Sequence, residues 1–453
     1  MTAPSDRVTA ALVDFAFAMK ARAPDAAQRR ALVDRVVDIL ACAAAAAREP
    51  EIAGVGRAVR EHAGAGDRDV LLHGKAPLAE AVFLNSFMVR YLDWNDTYIG
   101  KNGGHPSDIF AGALTVAGAL RKSGDDALRA IAAGQHVMLD LCDSADAFAR
   151  GWDHATYTGL AATVAIGLLF DLDRSQLASA ISLTAVSNNM LISRSGKIAT
   201  WKGLAAPAAL RAAFNNCVLA RAGVTGPDPV FEGDFGFERH VSGPLAPELD
   251  ARRDRTGDTH LKLFPAVYHA QAPIELGLRL RARLIGALGA QPSAALVDRI
   301  DVTTYAFALK WAADGANKWR PANRETADHS LPFMLAMALV RGDVDHDNLG
   351  AAIHDPAIVA LTQKVAVVAD ADMSAKWPKL SPARVRVSAG GQVFEEEALA
   401  HTGHVTRPMA SETLDGKLVA AATPAIGEAR ARAWAARARQ MADAPDIAGL
   451  LAP

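Results

Sequence analysis

The stretch "GLAATVAIGLLFDL", residues 159–172, comes closer than any other part of the chain to a membrane span. A spanning helix needs about 20 consecutive apolar residues, so this run of fourteen reads instead as a helix buried in a protein core. A helix that is apolar on every side must be surrounded by other helices, and the flanking sequence supplies them. "SDRVTAALVDFAFAMKARA" and "DAAQRRALVDRVVDILACAAAAA" place apolar residues three and four apart, with Ser5 and Asp25 in N-cap positions. "PLAEAVFLNSFMVRYLDW" opens at Pro77, near a helix start. "HPSDIFAGALTVAGALRKSG" offers Ser107 as a cap and is read as ending at Gly124. Two more helical stretches follow, the second stopping at Gly223. No repeat of fixed period is present.

After about residue 225 the texture changes to loop, then to mixed structure. "RIDVTTYAFAL" (299–309) is rich in β-branched and aromatic residues, and "ARVRVSAGGQVFEEE" (383–397) reads as a hairpin about Gly390-Gly391. "PFMLAMALVRG" and "DPAIVALTQKVAVV" between them are read as helical, and helix returns after about 412. The fold class is therefore mainly α. A large all-helical domain (1–262) is completed by a C-terminal helical return (404–453), with an inserted α+β domain (263–403).

A chain of 453 residues exceeds one ordinary core and fits this division. Hydrophobic residues make up 51% and charged residues 22%, the profile of a globular protein with generous cores. A net charge of −2 provides no basic field for nucleic acid. Cys42, Cys142 and Cys217 lie far apart with no C-x-x-C pair. That argues against a disulfide framework, a thiolate zinc site or a motif-borne iron–sulfur cluster, and it fits a reducing cytoplasm. The N-terminal sequence lacks a basic segment followed by a long apolar run, so no signal peptide is expected.

"RYLDWNDTYIGKNGGHPSD" (90–108) gathers ionisable groups amid apolar surroundings. On a helix Asp93 and Thr97, four apart, would share a face, with Asp96 one turn from Asp93. The glycines and Pro106 then break the helix and bring in His105. Carboxylate, hydroxyl and imidazole could converge there as an acid/base site; the same spacing also describes a polar helix terminus in which Asp96 pairs with Arg90 or Lys101. "ISRSGKIATWKGLAAPA" (192–207) sets Arg194, Lys197 and Lys202 near a helix start, which suits an anion but equally a solvated surface. "HLKLFPAVYHAQAPIE" (260–275) holds His260, Lys262, Tyr268, His269 and Gln271 at the proposed domain boundary, where a hinge with a snorkelling lysine is the plainer explanation. "NKWRPANRETADHSLPFMLA" (317–336) places Asp328 and His329 before an apolar helix that Asp328 or Ser330 could cap. No G-x-G-x-x-G, Walker loop, G-x-S-x-G or H-E-x-x-H motif occurs.

The order of these segments carries more than any one of them. "RYLDWNDT…GHPSD", "GWDHATYTGLAATVAIGLLFDL", "WKGLAAPAALRAAFNNCVLARAGVTGP", "LKLFPAVYHAQAPIE", "ADHSLPFMLAMALVRG" and "HTGHVTRPMASETLDGK" together resemble the MmgE/PrpD family. That family includes 2-methylcitrate dehydratase, cis-aconitate decarboxylase and iminodisuccinate epimerase. The resemblance implies a cytoplasmic homodimer with no metal or organic cofactor, no nucleic-acid or membrane partner, and a small polycarboxylate substrate. It also implies that the inserted α+β domain is a lid, and residue by residue it points to Asp93, Thr97, His105, Lys202 and Lys262 as catalytic and to Tyr268, His269 and Gln271 as substrate-binding; Arg194 joins the substrate-binding set as a cation near its helix start that could hold a carboxylate.

The first motif and "FPAVYHAQ" look most like the dehydratase branch. Val267 departs from the pattern: the decarboxylase branch has histidine there and the dehydratase glutamate, which counts against decarboxylation of cis-aconitate. The leading expectation is a cofactor-independent lyase converting 2-methylcitrate to 2-methyl-cis-aconitate. A dicarboxylate epimerase such as iminodisuccinate epimerase, and a non-catalytic carboxylate-binding protein, are the alternatives. With cysteines scattered, side chains must do what a Lewis acid does elsewhere, so activity is expected to survive exhaustive chelation. Loss on chelation, restored by added iron or zinc, would overturn this reading.

Overall fold

The apolar stretch lies, up to residue 169, in helix Ala155–Leu169, every residue of which is buried. In the computed structural model, which describes residues 6–192 and 198–453, this helix packs against Asp108–Ala119, Gly124–Ser144, Arg174–Ser187 and Trp201–Arg221. Small residues permit the close approach; Gly134, for instance, faces Ala161 and Ala165. Among the described residues no helix is long and apolar enough to cross a membrane.

Local sequence explains most helix starts. Asp25 and Gln28 form a reciprocal capping box at Ala26–Ala46. Ser5 lies outside the described residues, and Asp6 caps the first helix, Arg7–Ala21, by accepting from the Thr9 amide at 2.7 Å. Ser107 precedes Asp108–Ala119 but makes no capping bond, because its hydroxyl donates to Asp96 instead (2.6 Å). Gly124 does not end that helix. It begins the next one, Gly124–Ser144, behind the cap Ser123.

The chain is mainly α, and among the described residues there are two large hydrophobic cores. One joins residues between Val8 and Leu261 to a C-terminal group from Met409 to Leu451. Helix Ser411–Ile426 packs on Ala26–Ala46, which carries the chain's end back to its beginning. The other core runs from Ala266 to Phe394. Here helices Gln271–Leu288 and Leu331–Arg341 accompany a four-stranded sheet ordered Val365–Ala369, Val297–Thr304, Ala383–Ala389, Gln392–Ala398.

The last two strands form the hairpin, with Gly390 and Gly391 at φ 55° and 70° as a tight two-residue turn requires. Two segments depart from the sequence reading. The end of the 299–309 stretch, residues 306–309, is not strand but the start of helix Ala306–Ala312. The run Val365–Ala369 is a strand rather than helix, since its β-branched side chains pair parallel to Ile300–Thr304.

The helix start at Gly124 is also where the C-terminal return docks. The Gly124 amide donates to Ala444 O (2.8 Å), and a Cβ on Gly124 would collide with the main-chain carbonyl of Met441. Gly124→Val is therefore expected to destabilise the fold by on the order of 2 kcal/mol or more, read as a lowered Tm. An unchanged Tm would show that the return segment does not need this contact.

Candidate functional site

Helix Leu78–Tyr91 ends just before the first motif, so Asp93 and Thr97 do not share a helical face. Asp93 instead adopts φ 52°, a left-handed conformation that Asp tolerates better than most residues. This turn directs both its main-chain oxygen and its carboxylate to one cation. Lys262 Nζ donates to Asp93 O at 2.7 Å and to Asp93 Oδ1 at 3.1 Å. Arg90, buried in the last helical turn, also pairs with the Asp93 carboxylate. Asp96 pairs with neither Arg90 nor Lys101; it accepts from the Ser107 amide and hydroxyl, and so fixes the loop.

The loop is closed by two short pairings. Thr97 and His260 exchange main-chain hydrogen bonds of 2.8 Å, tying the first motif to the segment that carries Lys262. Tyr98–Ile99 pairs antiparallel with Gly103–Gly104, which returns the chain so that His105 stands over Thr97. His105 Nδ1 donates to Asp96 O (2.6 Å), and this assigns the lone pair to Nε2, which faces Arg90 Nη2 at 3.0 Å.

Lys202, in helix Trp201–Arg221, donates to both oxygens of Asp328 (2.8 and 2.7 Å) and lies 3.3 Å from His329 Nδ1. Ser330 caps helix Leu331–Arg341 by accepting from Phe333 N, which leaves Asp328 to hold the lysine. His329 Nε2 in turn lies 3.8 Å from Asp93 Oδ2, so the two lysine–aspartate pairs are neighbours.

These groups border a cavity of about 410 Å³. Asp93, Thr97, His105, Lys262, Tyr268 and His269 line it. Lys202 is buried behind His329 and does not itself form the wall. Gln271 is turned away: its amide accepts from the Leu263 and Phe264 amides and donates to Phe264 O and Ala266 O, shaping the backbone after Lys262. Arg194 and Lys197 lie outside the described residues.

Two histidines on the cavity wall, His154 and His329, were assigned no catalytic or binding role from the sequence. Each follows an aspartate directly before an apolar helix, and that repeated Asp-His pair is the signal that could have found them. His154 contacts Asp153 (Nδ1 to Oδ1, 2.8 Å) and Asp108 (Nε2 to Oδ2, 3.4 Å), and its ring lies 5.0 Å from that of His105.

Burial and neighbouring charge set these groups apart electrostatically. Burial works against a charged Asp93, but Lys262, Arg90, Lys202 and His329 outweigh it and hold the carboxyl well below its usual range. Burial, with Arg90 and Lys262 nearby, holds His105 well below an ordinary histidine, so it is neutral. Burial likewise opposes charge on His154, yet Asp153 and Asp108 prevail and raise it. His329 is lowered to about 4 by burial and Lys202, and His269 to about 3 mainly by burial. Lys262 is lowered by burial despite Asp93. A neutral and a proton-rich imidazole in ring contact, beside a buried ammonium, can exchange protons with an anionic ligand. Asp93, Asp328 and His329 also bring ligand atoms within 4.8 Å of one another, as a metal site would, but their carboxylates already hold the Lys262 and Lys202 ammonium groups.

A family model described as MmgE/PrpD N-terminal domain matches residues 10–250, and one described as MmgE/PrpD C-terminal domain matches residues 264–443. The 2-methylcitrate dehydratase of Salmonella typhi is 25% identical over 324 residues, 66% of this chain and 64% of the relative. That of Cupriavidus necator is 28% identical over 318 residues, 64% of this chain and 62% of the relative. Alkylcitrate dehydratase phiI of Talaromyces stipitatus is 25% identical over 358 residues, 72% of this chain and 70% of the relative. The matched region thus spans just under two thirds of the length of the first two.

Burial brings Lys202 down to about 8, where its ammonium begins to lose its proton. If that charge supports turnover, kcat/KM falls as pH rises through about 8, because the cation is present below that value and lost above it. Lys202→Arg, which stays charged, moves this limb upward. A profile flat well beyond pH 8 in the wild type would remove Lys202 from the working site.

Proposed function

The chain belongs to the MmgE/PrpD family, and from that premise we propose that it is a hydro-lyase that dehydrates a small polycarboxylate, 2-methylcitrate to 2-methyl-cis-aconitate. The observation that carries the reading is the fully buried Lys262, held on Asp93 in the wall of a cavity that also presents neutral His105. The relatives named for dehydration of 2-methylcitrate and alkylcitrate support the reaction class.

In this reading Arg90 releases His105 Nε2, which then takes the proton from the substituted carbon next to a carboxylate. The electron pair of that C–H bond forms the alkene, and the central C–O bond breaks. His154, turning one N–H away from its Asp153 or Asp108 contact, gives the departing hydroxyl its proton, so water leaves and the two imidazoles end with their protons exchanged. Negative charge grows on the adjacent carboxylate, and the preorganised Lys262 ammonium stabilises it more in the transition state than in the substrate. Asp93 holds Lys262 and Arg90 in place and offsets the imidazolium formed on His105, from which its Oδ1 lies 3.8 Å. Thr97 orients the substrate, Lys202 supports His329 from behind, and Tyr268 and His269 complete the wall. The α+β unit acts as a cover over the cavity, and the working form is a cytoplasmic homodimer without metal or organic cofactor.

The direct test incubates the protein with 2-methylcitrate and follows the ultraviolet absorbance of the conjugated alkene. Inversion at the substituted carbon without alkene would make it an epimerase, and binding without turnover would make it a binding protein. Lys262→Ala is expected to lower kcat and kcat/KM together by roughly a hundredfold or more, the loss typical of one preorganised charge partner at about 3 kcal/mol. Lys262→Arg recovers only part of the loss, since its planar fork does not fit the two Asp93 acceptors as a point charge does. Near-wild-type turnover by Lys262→Ala, with circular dichroism unchanged, would return Lys262 to a structural role.

A further inference from the structure

His154 stands between two carboxylates, and its contacts with them are unequal. Nδ1 lies 2.8 Å from Asp153 Oδ1, and Nε2 lies 3.4 Å from Asp108 Oδ2. A neutral imidazole carries one N–H and one lone pair. With a carboxylate oxygen at each nitrogen, a neutral ring would set its lone pair against one of them, and a second proton removes that repulsion. The two carboxylates also differ in their other donors. Asp153 Oδ1 accepts from the Ala155 amide at 3.0 Å as well as from His154. Asp108 Oδ1 accepts from the Asn95 side chain at 2.8 Å, but among the described residues Asp108 Oδ2 and His154 Nε2 make no hydrogen bond. Asp108 is buried and forms no part of the cavity wall, so Oδ2 depends on His154 for positive charge. Around the pair stand His105, held neutral with its ring 5.0 Å from that of His154, and the uncharged ring of Phe148 at 6.4 Å. Arg90 Nε lies 3.9 Å from Asp108 Oδ1, but the guanidinium is engaged by Asp93.

We infer that Asp108 is a positioning residue for the acid step: it keeps a proton on Nε2 of His154, and that proton is the one the departing hydroxyl takes. The inference rests on the dehydratase reading for the group that receives the proton. Nε2 is the nitrogen that lets go, because its 3.4 Å contact lies beyond the roughly 2.7–3.2 Å of an N–H···O hydrogen bond, whereas the 2.8 Å contact with Asp153 lies within it. In the step the Nε2–H bond breaks and its electron pair stays on nitrogen. The proton bonds to the oxygen of the departing hydroxyl, the C–O electron pair leaves with that oxygen, and water is released. His154 is left as the neutral Nδ1–H tautomer, still donating to Asp153. Asp108 does not meet the substrate; it acts through His154.

Nitrogen NMR of the full chain with isotope-labelled histidine reads this proton whether or not the protein dehydrates anything, the His154 signals being identified by their loss in His154→Gln. Wild-type His154 is expected to titrate above the ordinary histidine value of about 6.5 and to become the Nδ1–H tautomer when neutral. A midpoint at or below that value, or an Nε2–H tautomer, overturns the inference without any variant of Asp108. Asp108→Asn removes the charge and keeps an oxygen for the Asn95 side chain. It is expected to lower the His154 midpoint. The acid form is present below the midpoint and lost above it, so the alkaline fall of kcat/KM then begins at a lower pH. On that alkaline side the loss relative to wild type is expected to be about tenfold or more, with the acid side kept. A loss equal at every pH, with the His154 midpoint unchanged, would reduce Asp108 to a structural role. Failure to dehydrate any citrate, with midpoint and tautomer as expected, overturns the dehydration and leaves only the hold of Asp108 on the proton.

Discussion

The contact on which the site depends is that of Lys262 with Asp93. An ammonium and a carboxylate this deeply buried each give up several kcal/mol of hydration, which only close geometry and further hydrogen bonds can offset. The geometry is supplied by an uncommon backbone conformation. Asp93 at φ 52° accepts from Lys262 with its carbonyl as well as its carboxylate, and Arg90 takes up the remaining negative charge. A second buried lysine secures the arrangement from outside. Lys417, on the returning helix Ser411–Ile426, pairs with Asp38 at 2.7 Å and donates to the main-chain oxygens of Trp94 (3.3 Å) and Lys262 (3.2 Å). The two segments that form the ion pair are thus held by the C-terminal part of the chain, which explains physically why the helical core must be completed from the far end of the sequence.

The two Asp-His pairs show how context sets opposite protonation from the same dipeptide. In both, a carboxylate lies against Nδ1 of the following histidine. His154 has a second carboxylate, Asp108, on its other nitrogen, and its pKa is raised. His329 shares its aspartate with Lys202, whose charge works against the imidazolium, and it falls to about 4. One pair therefore favours the protonated imidazole near His105, while the other separates two ammonium–carboxylate pairs.

Periodicity and caps made the helical core legible, because a helix such as Ala155–Leu169 is apolar in a way that only burial explains. The hairpin was legible for a similar local reason, the Gly390-Gly391 turn. Val365–Ala369 was not, since a short apolar run becomes a strand only through pairing with Ile300–Thr304, far away in sequence. In the site, residue types pointed to segments that meet at one cavity, but their geometry was hidden. Helical spacing suggested a shared face for Asp93 and Thr97, whereas a single left-handed residue ends that pattern. Gln271 looked like a ligand contact because a buried amide and a binding amide are alike in sequence; its four main-chain bonds appear only in three dimensions. The aromatic residues of the cavity wall were equally hidden, since Phe148, Phe307 and Trp377 are widely separated in the chain.

The buried helix that decides the fold also bears on the chemistry through its first turn. A helix N-terminus carries partial positive charge and by itself disfavours an imidazolium at that place. Asp153 reverses the effect: its carboxylate accepts from the Ala155 amide at 3.0 Å, so it binds the helix end and His154 together. With Asp108 on the other nitrogen, two carboxylates surround one imidazole and outweigh both burial and the helix end. Asp108 itself begins the helix that follows the His105 loop, and it accepts from the Asn95 side chain at 2.8 Å. The charge state of His154 is therefore coupled to the loop that carries Asp93, Thr97 and His105. Packing that a globular helical core requires in any case thereby brings an imidazole with a raised pKa into contact with one whose pKa is lowered.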